Sequence, residues 1–169
     1  MSRAPTGRIV RGDGAYDLVI ARSFAAPVGD VWASVTEPER TARWFGAWRG
    51  EAGPGRTIAL QMGFEEGTPW CDVRIEACDP PRRLAVRFDD EAGEWLMELR
   101  LAERAGVTEL ELIQHLADPS VAESTGPGWE YYLDMLVAAR AGEPLPDFGA
   151  YYPSQSAHFA AQARAAAAG

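Results

Sequence analysis

Apolar and polar residues alternate along several segments of the chain, which is the pattern of strands with one buried and one exposed face. The alternating segments are "AYDLVIARSF", "GPGRTIALQMG", "WCDVRIEA", "RRLAVRF", "EWLMELRL" and "TELELIQHL". Turn-forming residues in "AGPG", "DPP", "DDEAG" and "ERAG" separate the later segments. This pattern predicts an antiparallel sheet that is apolar on one face and polar on the other.

Helical patterns stand on both sides of the main run of strands. The segment "APVGDVWASVTEPERTARWFG" follows the first strand and predicts two short helices, because Pro38 breaks its helical spacing. The segment "GPGWEYYLDMLVAARAG", residues Gly126–Gly142, predicts one long helix with glycines at its start and its end. On that helix Trp129 and Tyr132 share one broad apolar side, and Glu130 and Asp134 point away from it.

The order of these elements predicts the domain organisation. A strand, two short helices, several strands and a long helix are typical of an α+β domain with its sheet curled around the final helix. We expect a flexible lead-in at residues 1–14, the folded domain at 15–143, and a tail at 144–169 that contains a short helix.

Composition narrows the range of partners. The chain has 169 residues, a formal net charge of −9 and a sequence pI of about 4.7. Because such a chain repels phosphate backbones and anionic lipid surfaces, we expect neither nucleic acid nor a membrane as a partner. Since no stretch has the pattern of a secretion signal or a membrane span, we expect a cytoplasmic protein.

The residues that usually carry catalysis or bind metals form no recognisable set. Cys71 and Cys78 lie seven residues apart in one predicted strand, which is too far for a disulfide. Neither has a metal-ligand spacing to His115 or His158. No nucleophile–histidine pair, paired carboxylates or phosphate-binding glycine loop stands out. We therefore expect two reduced thiols, no metal and no cofactor.

Five stretches of the chain, taken in order, resemble one protein family. They are "APVGDVWASVTEPERTARWFG", "GPGRTIALQM", "CDPPRRLAVRF", "GVTELELIQHLAD" and "GPGWEYYLDMLVAARAG". Together they are similar to the activator of 90-kDa heat-shock-protein ATPase homologue-like proteins, part of the START-like (SRPBCC) superfamily. The resemblance covers roughly Tyr16 to Gly142.

This resemblance implies a helix-grip fold, in which a curved antiparallel sheet wraps around a long C-terminal helix and often encloses a hydrophobic cavity. Three functions stay open under it. The first is binding of a small hydrophobic ligand between the sheet and the helix. The second is a protein-interaction role like that of the chaperone-ATPase activators, connected with the stress response. The third is an enzyme similar to the polyketide cyclases. A homodimer also stays open.

Large aromatic residues are the candidates for the walls of such a cavity, because small-molecule sites are mostly apolar and aromatic. The candidates are Trp44, Phe45, Trp48, Trp95, Trp129 and Tyr132. The alternative is that these side chains only fill a core, which aromatic residues commonly do.

Three polar residues share strand or helix faces with apolar ones and could orient a ligand. Gln114, Arg22 and Arg140 are these candidates, unless they lie at element ends and reach solvent. His115 falls on the polar face unless a β-bulge reverses it. An enzyme would draw its acid or base from Tyr132, Arg22 and His115.

Overall fold

Eight strands and four α-helices make up the regular structure of the residues that the computed structural model describes, which are 4–12, 15–91 and 93–169. The strands are β1 (Arg8–Gly12), β2 (Ala15–Phe24), β3 (Trp48–Arg49), β4 (Thr57–Gln61), β5 (Trp70–Asp79), β6 (Arg83–Asp90), β7 (Gly93–Arg104) and β8 (Val107–Leu116). The helices are α1 (Val28–Thr36), α2 (Pro38–Thr41), α3 (Ala122–Ala141) and α4 (Ser156–Ala168). Short 3₁₀ turns at Pro119–Val121 and Phe148–Ala150 precede α3 and α4.

The strands form one sheet in the order β1-β2-β8-β7-β6-β5-β4-β3. Each strand pair with a resolved register is antiparallel. The sheet, the long helix α3 and the two short helices after β2 confirm the predicted α+β helix-grip fold. Among the described helices, none combines the length and the apolar character that crossing a membrane requires.

The chain divides into two compact units. The first unit contains the N-terminal part through Ala21 together with Leu112–Gly169, and the second unit is Arg22–Glu111. The first therefore holds α3, α4 and β1, whereas the second holds α1, α2 and the strands from β3 to β7.

The strands of the second unit follow the predicted alternation. In β5, Val73 and Ile75 are buried, while Asp72, Arg74 and Glu76 between and beside them are exposed. Alternate side chains of a strand point to opposite faces, so this sequence dictates which face is buried. The period-2 pattern therefore assigns the faces of β5 as far as Ile75, and a register shift between Ile75 and Ala77 then brings Cys78 to the side of Val73 and Ile75.

Helix α3 begins at Ala122, one helical turn before the predicted start at Gly126. The side chain of Asp118 accepts hydrogen bonds from Ser120 N and Ser120 Oγ, at 2.9 and 2.8 Å, and so starts the 3₁₀ turn that runs into α3. Gly126 has a different role from the predicted one. A Cβ atom at Gly126 would lie 2.5 Å from Cγ of Phe159, so the glycine makes room for that ring.

Two acidic residues of α3, predicted to point away from its apolar side, are nevertheless buried. Glu130 is 1% exposed and Asp134 is 5% exposed. Glu130 accepts hydrogen bonds from Thr6 N at 2.6 Å and Thr6 Oγ1 at 2.8 Å. Tyr151 Oη donates to Asp134 Oδ2 at 2.7 Å. Both ends of the chain therefore cover the side of α3 that the helical pattern alone leaves polar.

Regular structure extends into the two terminal segments. The predicted lead-in, residues 1–14, contains β1, which pairs with β2. The predicted tail, residues 144–169, contains α4, which packs on α3 and β1. Tyr151 and Phe159 of this segment are fully buried.

Candidate functional site

The cross-strand register of the second unit places thirteen uncharged side chains on one face of its sheet. Residues directly opposite each other in antiparallel strands share a face. The register pairs are Trp48 with Leu60, Leu60 with Cys71, Ile58 with Val73, Ile75 with Val86, Val86 with Met97, Cys78 with Leu84, Leu84 with Leu99, and Phe88 with Trp95. We call these residues the apolar face.

Four members of the apolar face are buried and nine are half-buried. The buried members are Leu60, Val73, Ile75 and Met97. The half-buried members are Trp48, Ile58, Cys71, Cys78, Leu84, Val86, Phe88, Trp95 and Leu99. Asp90, the next position after Phe88 on this side of β6, is exposed at the strand end. A broad apolar surface thus keeps partial access to solvent and has a carboxylate at one end.

Two aromatic rings form a flat element on the apolar face. Phe88 and Trp95 are directly paired across β6 and β7, with ring centroids 5.6 Å apart and ring planes 9° from parallel. Offset stacking is a favourable arrangement of aromatic rings, so the interaction between Phe88 and Trp95 stabilises their parallel orientation. Trp95 was predicted from its size and parity, whereas its partner Phe88 was not among the candidates.

The opposite face of the same sheet is charged. Glu98 is buried between Arg83 and Arg100, and its Oε1 lies 3.1 Å from Nε of Arg100. Trp70 lies on this side, 47% exposed, with the guanidinium of Arg49 4.2 Å from its ring centre. The sheet therefore carries one half-buried tryptophan, Trp95, on its apolar face and one exposed tryptophan, Trp70, on its charged face.

The aromatic cluster after α2 holds helix α1 in place. Trp44 Nε1 donates to Ser34 O and Trp48 Nε1 donates to Thr36 O, both at 2.9 Å. Carbonyls in the last turn of a helix lack partners within the helix, and the two indoles donate to two of these carbonyls. Phe45 packs on Trp44 with centroids 5.4 Å apart. Trp44 is buried, whereas Trp48 and Phe45 are half-buried.

The two thiols belong to the apolar face and are free in the described structure. Burial raises the pKa of Cys71, and the carboxylates of Asp72 and Asp90 raise it further. Burial also raises the pKa of Cys78, with Asp79 acting in the same direction. Both side chains are therefore protonated, weakly polar groups at neutral pH and suit an apolar surface.

Two further aromatic candidates meet in the first unit. The rings of Trp129 and Tyr132, one helical turn apart on α3, have centroids 6.0 Å apart and both residues are buried. Gln114 is also buried, as its parity predicted, and its Oε1 accepts a hydrogen bond from Thr125 Oγ1 at 2.8 Å. That bond joins β8 to the first turn of α3.

The remaining polar candidates are half-buried. Arg22 lies near the end of β2 and Arg140 in the last turn of α3. His115 is paired with Asp17 of β2 through Nδ1 and Oδ1, 2.7 Å apart. Across the residues that the structure describes, no group of three or more histidine, cysteine or acidic side chains is arranged to hold a metal ion.

An antiparallel sheet with a long C-terminal helix and short helices after β2 defines a helix-grip domain of the START-like kind. The sequence profile of the family described as "Activator of Hsp90 ATPase homolog 1-like protein" matches residues 25–140, which is more than half of the chain. The chain therefore belongs to that family.

Solved structures agree with this assignment over nearly the whole chain. CalU16 from Micromonospora echinospora is 26% identical, and its crystal structure superposes with a TM-score of 0.73 over 97% of this chain and 98% of that one. The solution structure of CalU16, at 26% identity, gives a TM-score of 0.75 over 98% and 100%. A protein from Bordetella parapertussis, 24% identical, shares the fold with a TM-score of 0.69 over 97% and 93%. No curated protein matches the chain.

Proposed function

We propose that this protein binds a small hydrophobic molecule and that the half-buried part of the apolar face makes the principal contacts. The observation that carries the proposal is the partial exposure of nine uncharged side chains that share one face of β3–β7 with four buried ones. Contiguous apolar surface of this kind is uncommon on soluble domains unless it contacts a ligand or a partner.

The energetic argument follows from the area that a ligand would cover. Removing apolar surface from water contributes roughly 25 cal/mol for each Å². Leu84, Val86 and Leu99 supply aliphatic surface, and the parallel rings of Phe88 and Trp95 supply a flat aromatic one. A molecule with a planar apolar body would gain from both kinds of surface.

The charge distribution favours a ligand without negative charge. Asp90 stands at the end of the apolar face, and the protein carries a net charge of −9. An anionic ligand would lose its hydration and meet a carboxylate of the same sign, both of which raise its free energy on binding. A cation would also lose its hydration over this apolar face. The chemical class we propose is therefore a neutral, largely apolar small molecule.

Titration with Nile red, a neutral hydrophobic dye, tests this proposal. We expect saturable binding with increased dye fluorescence. Because Trp95 contributes one of the half-buried aromatic surfaces of the apolar face, Trp95→Ala should raise the Kd at least about tenfold, which corresponds to about 1.4 kcal/mol. The matched control is Trp70→Ala, which removes an indole from the charged face of the same sheet and should leave the Kd unchanged.

Two results would contradict the proposal. One is the absence of saturable binding across Nile red and a panel of neutral aromatic and aliphatic compounds. The other is an equal effect of Trp95→Ala and Trp70→Ala, which would place the dye elsewhere. Circular dichroism and urea unfolding of both variants separate a lost site from a lost fold.

A further inference from the structure

Helix α4 lies along β1, the edge strand of the sheet in the first unit. β1 stands at the end of the strand order and, among the strands that the structure describes, pairs with β2 alone. An edge strand presents backbone N–H and C=O groups that can pair with a strand of another chain. In this protein, groups on α4 contact β1 and the residue before it.

Three contacts join α4 to this edge at regular intervals. His158 Nε2 lies 2.7 Å from Gly7 O and, since a carbonyl can only accept, donates to it. Ile9 N donates to Gln162 Oε1 at 3.3 Å. Arg11 Nε donates to Ala166 O at 3.2 Å.

The distance between successive contacts is nearly the same along the helix and along the strand. The α4 residues are four apart, which is about 6 Å along a helix, and the β1 residues are two apart, which is about 6.7 Å along a strand. Alternate residues of a strand direct their backbone groups to the same side. The helix therefore runs along the strand on its outward side, where Gly7 O and Ile9 N are backbone groups of alternate residues and the third contact comes from the side chain of Arg11.

A buried ring anchors α4 in this position. Phe159 is 0% exposed. A Cβ atom at Gly7 would lie 2.6 Å from Cε1 of Phe159, and one at Gly126 would lie 2.5 Å from its Cγ. Only glycine at both positions leaves room for the ring between α3 and the segment that leads into β1.

We propose that α4 is an intramolecular cover for the β1 edge and that it prevents this edge from pairing with β1 of a second copy of the chain. The sequence "RIVRG" of β1 contains two β-branched residues, which favour strands, and Val10 is 39% exposed. Antiparallel pairing of two copies about Val10 would place Ile9 opposite Arg11 and Arg8 opposite Gly12, so no like charges meet. β1 and α4 both lie outside residues 25–140, the part that defines the family.

Hydrogen exchange of the Ile9 amide tests whether α4 covers the edge. In Gln162→Ala the acceptor of Ile9 N is lost while Phe159 stays in place. We expect the Ile9 amide to exchange at least about tenfold faster, with the amides of α3 unchanged, because the opening is local. An unchanged Ile9 exchange rate would overturn the proposal that α4 protects this edge.

Gly126→Ala tests the second part of the proposal. Alanine favours the helix more than glycine does, so α3 should persist while the new methyl group displaces Phe159 and releases α4. We expect sedimentation velocity to show self-association beyond that of the parent protein. Adding Val10→Lys should abolish it, because two lysines would face each other at the centre of the paired strands.

The outcomes separate the alternatives. Released α4, detected by exchange of its amides, without any added self-association would overturn the proposed pairing. Self-association that survives Val10→Lys would assign the contact to another surface. If Gly126→Ala does not fold, the double variant His158→Ala/Gln162→Ala removes two edge contacts while keeping the anchor, and the same measurements apply.

Discussion

At the scale of single residues, Cys71 and Cys78 report the environment of the apolar face. Burial is the main cause that raises the pKa of each thiol, and nearby carboxylates add to it. The thiolate, which is the reactive form, is therefore less populated at a given pH than in the unfolded chain. Both pKa values are higher in the folded state than in the unfolded chain. The free energy of unfolding therefore keeps its full value at neutral pH and decreases as the pH rises above the pKa of the unfolded chain.

Alkylation by iodoacetamide as a function of pH checks this prediction. We expect both thiols of the folded protein to react more slowly than those of the urea-unfolded chain, with the midpoint of the rate profile at higher pH. A saturating neutral ligand should slow Cys71 further. Midpoints at or below that of the unfolded chain would show that the thiols are not buried as described.

Gly126 shows that the same glycine in a sequence can have more than one structural role. Gly126 fits a helix start, and the same residue is required where a helix must let another side chain approach closely. The difference depends on Phe159, which is more than thirty residues away in sequence. Local pattern therefore located the helix, and only the tertiary structure explains the glycine.

At the scale of elements, most strands were predictable and the surroundings of α3 were not. Alternation assigns the faces of β4, β6 and β7, and those of β5 as far as Ile75, because each of these has one apolar side. On α3, Glu130 and Asp134 have the spacing of a solvent-facing side, but Thr6 and Tyr151 cover them. A carboxylate paired by distant residues looks the same in sequence as one in water, so the helical pattern could not distinguish these cases.

Helix α1 depends on hydrogen bonds from outside the helix. In Trp44→Phe a smaller apolar ring replaces the indole, and Ser34 O loses the hydrogen bond from the indole N–H. Losing a hydrogen bond to a buried group costs about 1–3 kcal/mol, so we expect the free energy of unfolding to fall by that amount in urea titrations. Trp70→Phe, on the exposed charged face, should change it by less than about 0.5 kcal/mol. Equal stability of the two variants would refute the role assigned to the Trp44 indole.

At the scale of the whole molecule, the fold class follows from the order and periodicity of elements, and part of the candidate site does too. Trp95 lies on the apolar face, as alternation predicted, and Trp48, which was selected as a large aromatic residue, lies there too. Selection by aromatic size also included Trp44, whose N–H supports α1, and left out Phe88 and Leu99. Alternation along β6 and β7 places Phe88 and Leu99 on the apolar face. How much of each side chain is exposed depends on packing by other elements, which the sequence of one strand does not specify.

The contribution of the chain ends was likewise beyond local pattern. β1 and α4 meet through contacts between residues about 150 apart in the chain, for which sequence periodicity carries no signal. The prediction of a short helix in the tail likewise gave no indication that Phe159 would lie between Gly7 and Gly126.

The most direct test of the central claim is a methyl NMR titration with a neutral hydrophobic ligand. The apolar face should respond as one surface, so we expect saturable shifts in the methyl groups of Leu84, Val86 and Leu99. Leu96, half-buried on the opposite face of β7 where it pairs with Arg87, should shift little. Shifts at Leu96 equal to those at Leu84 and Val86, or no saturable shifts on the apolar face, would contradict the proposed site.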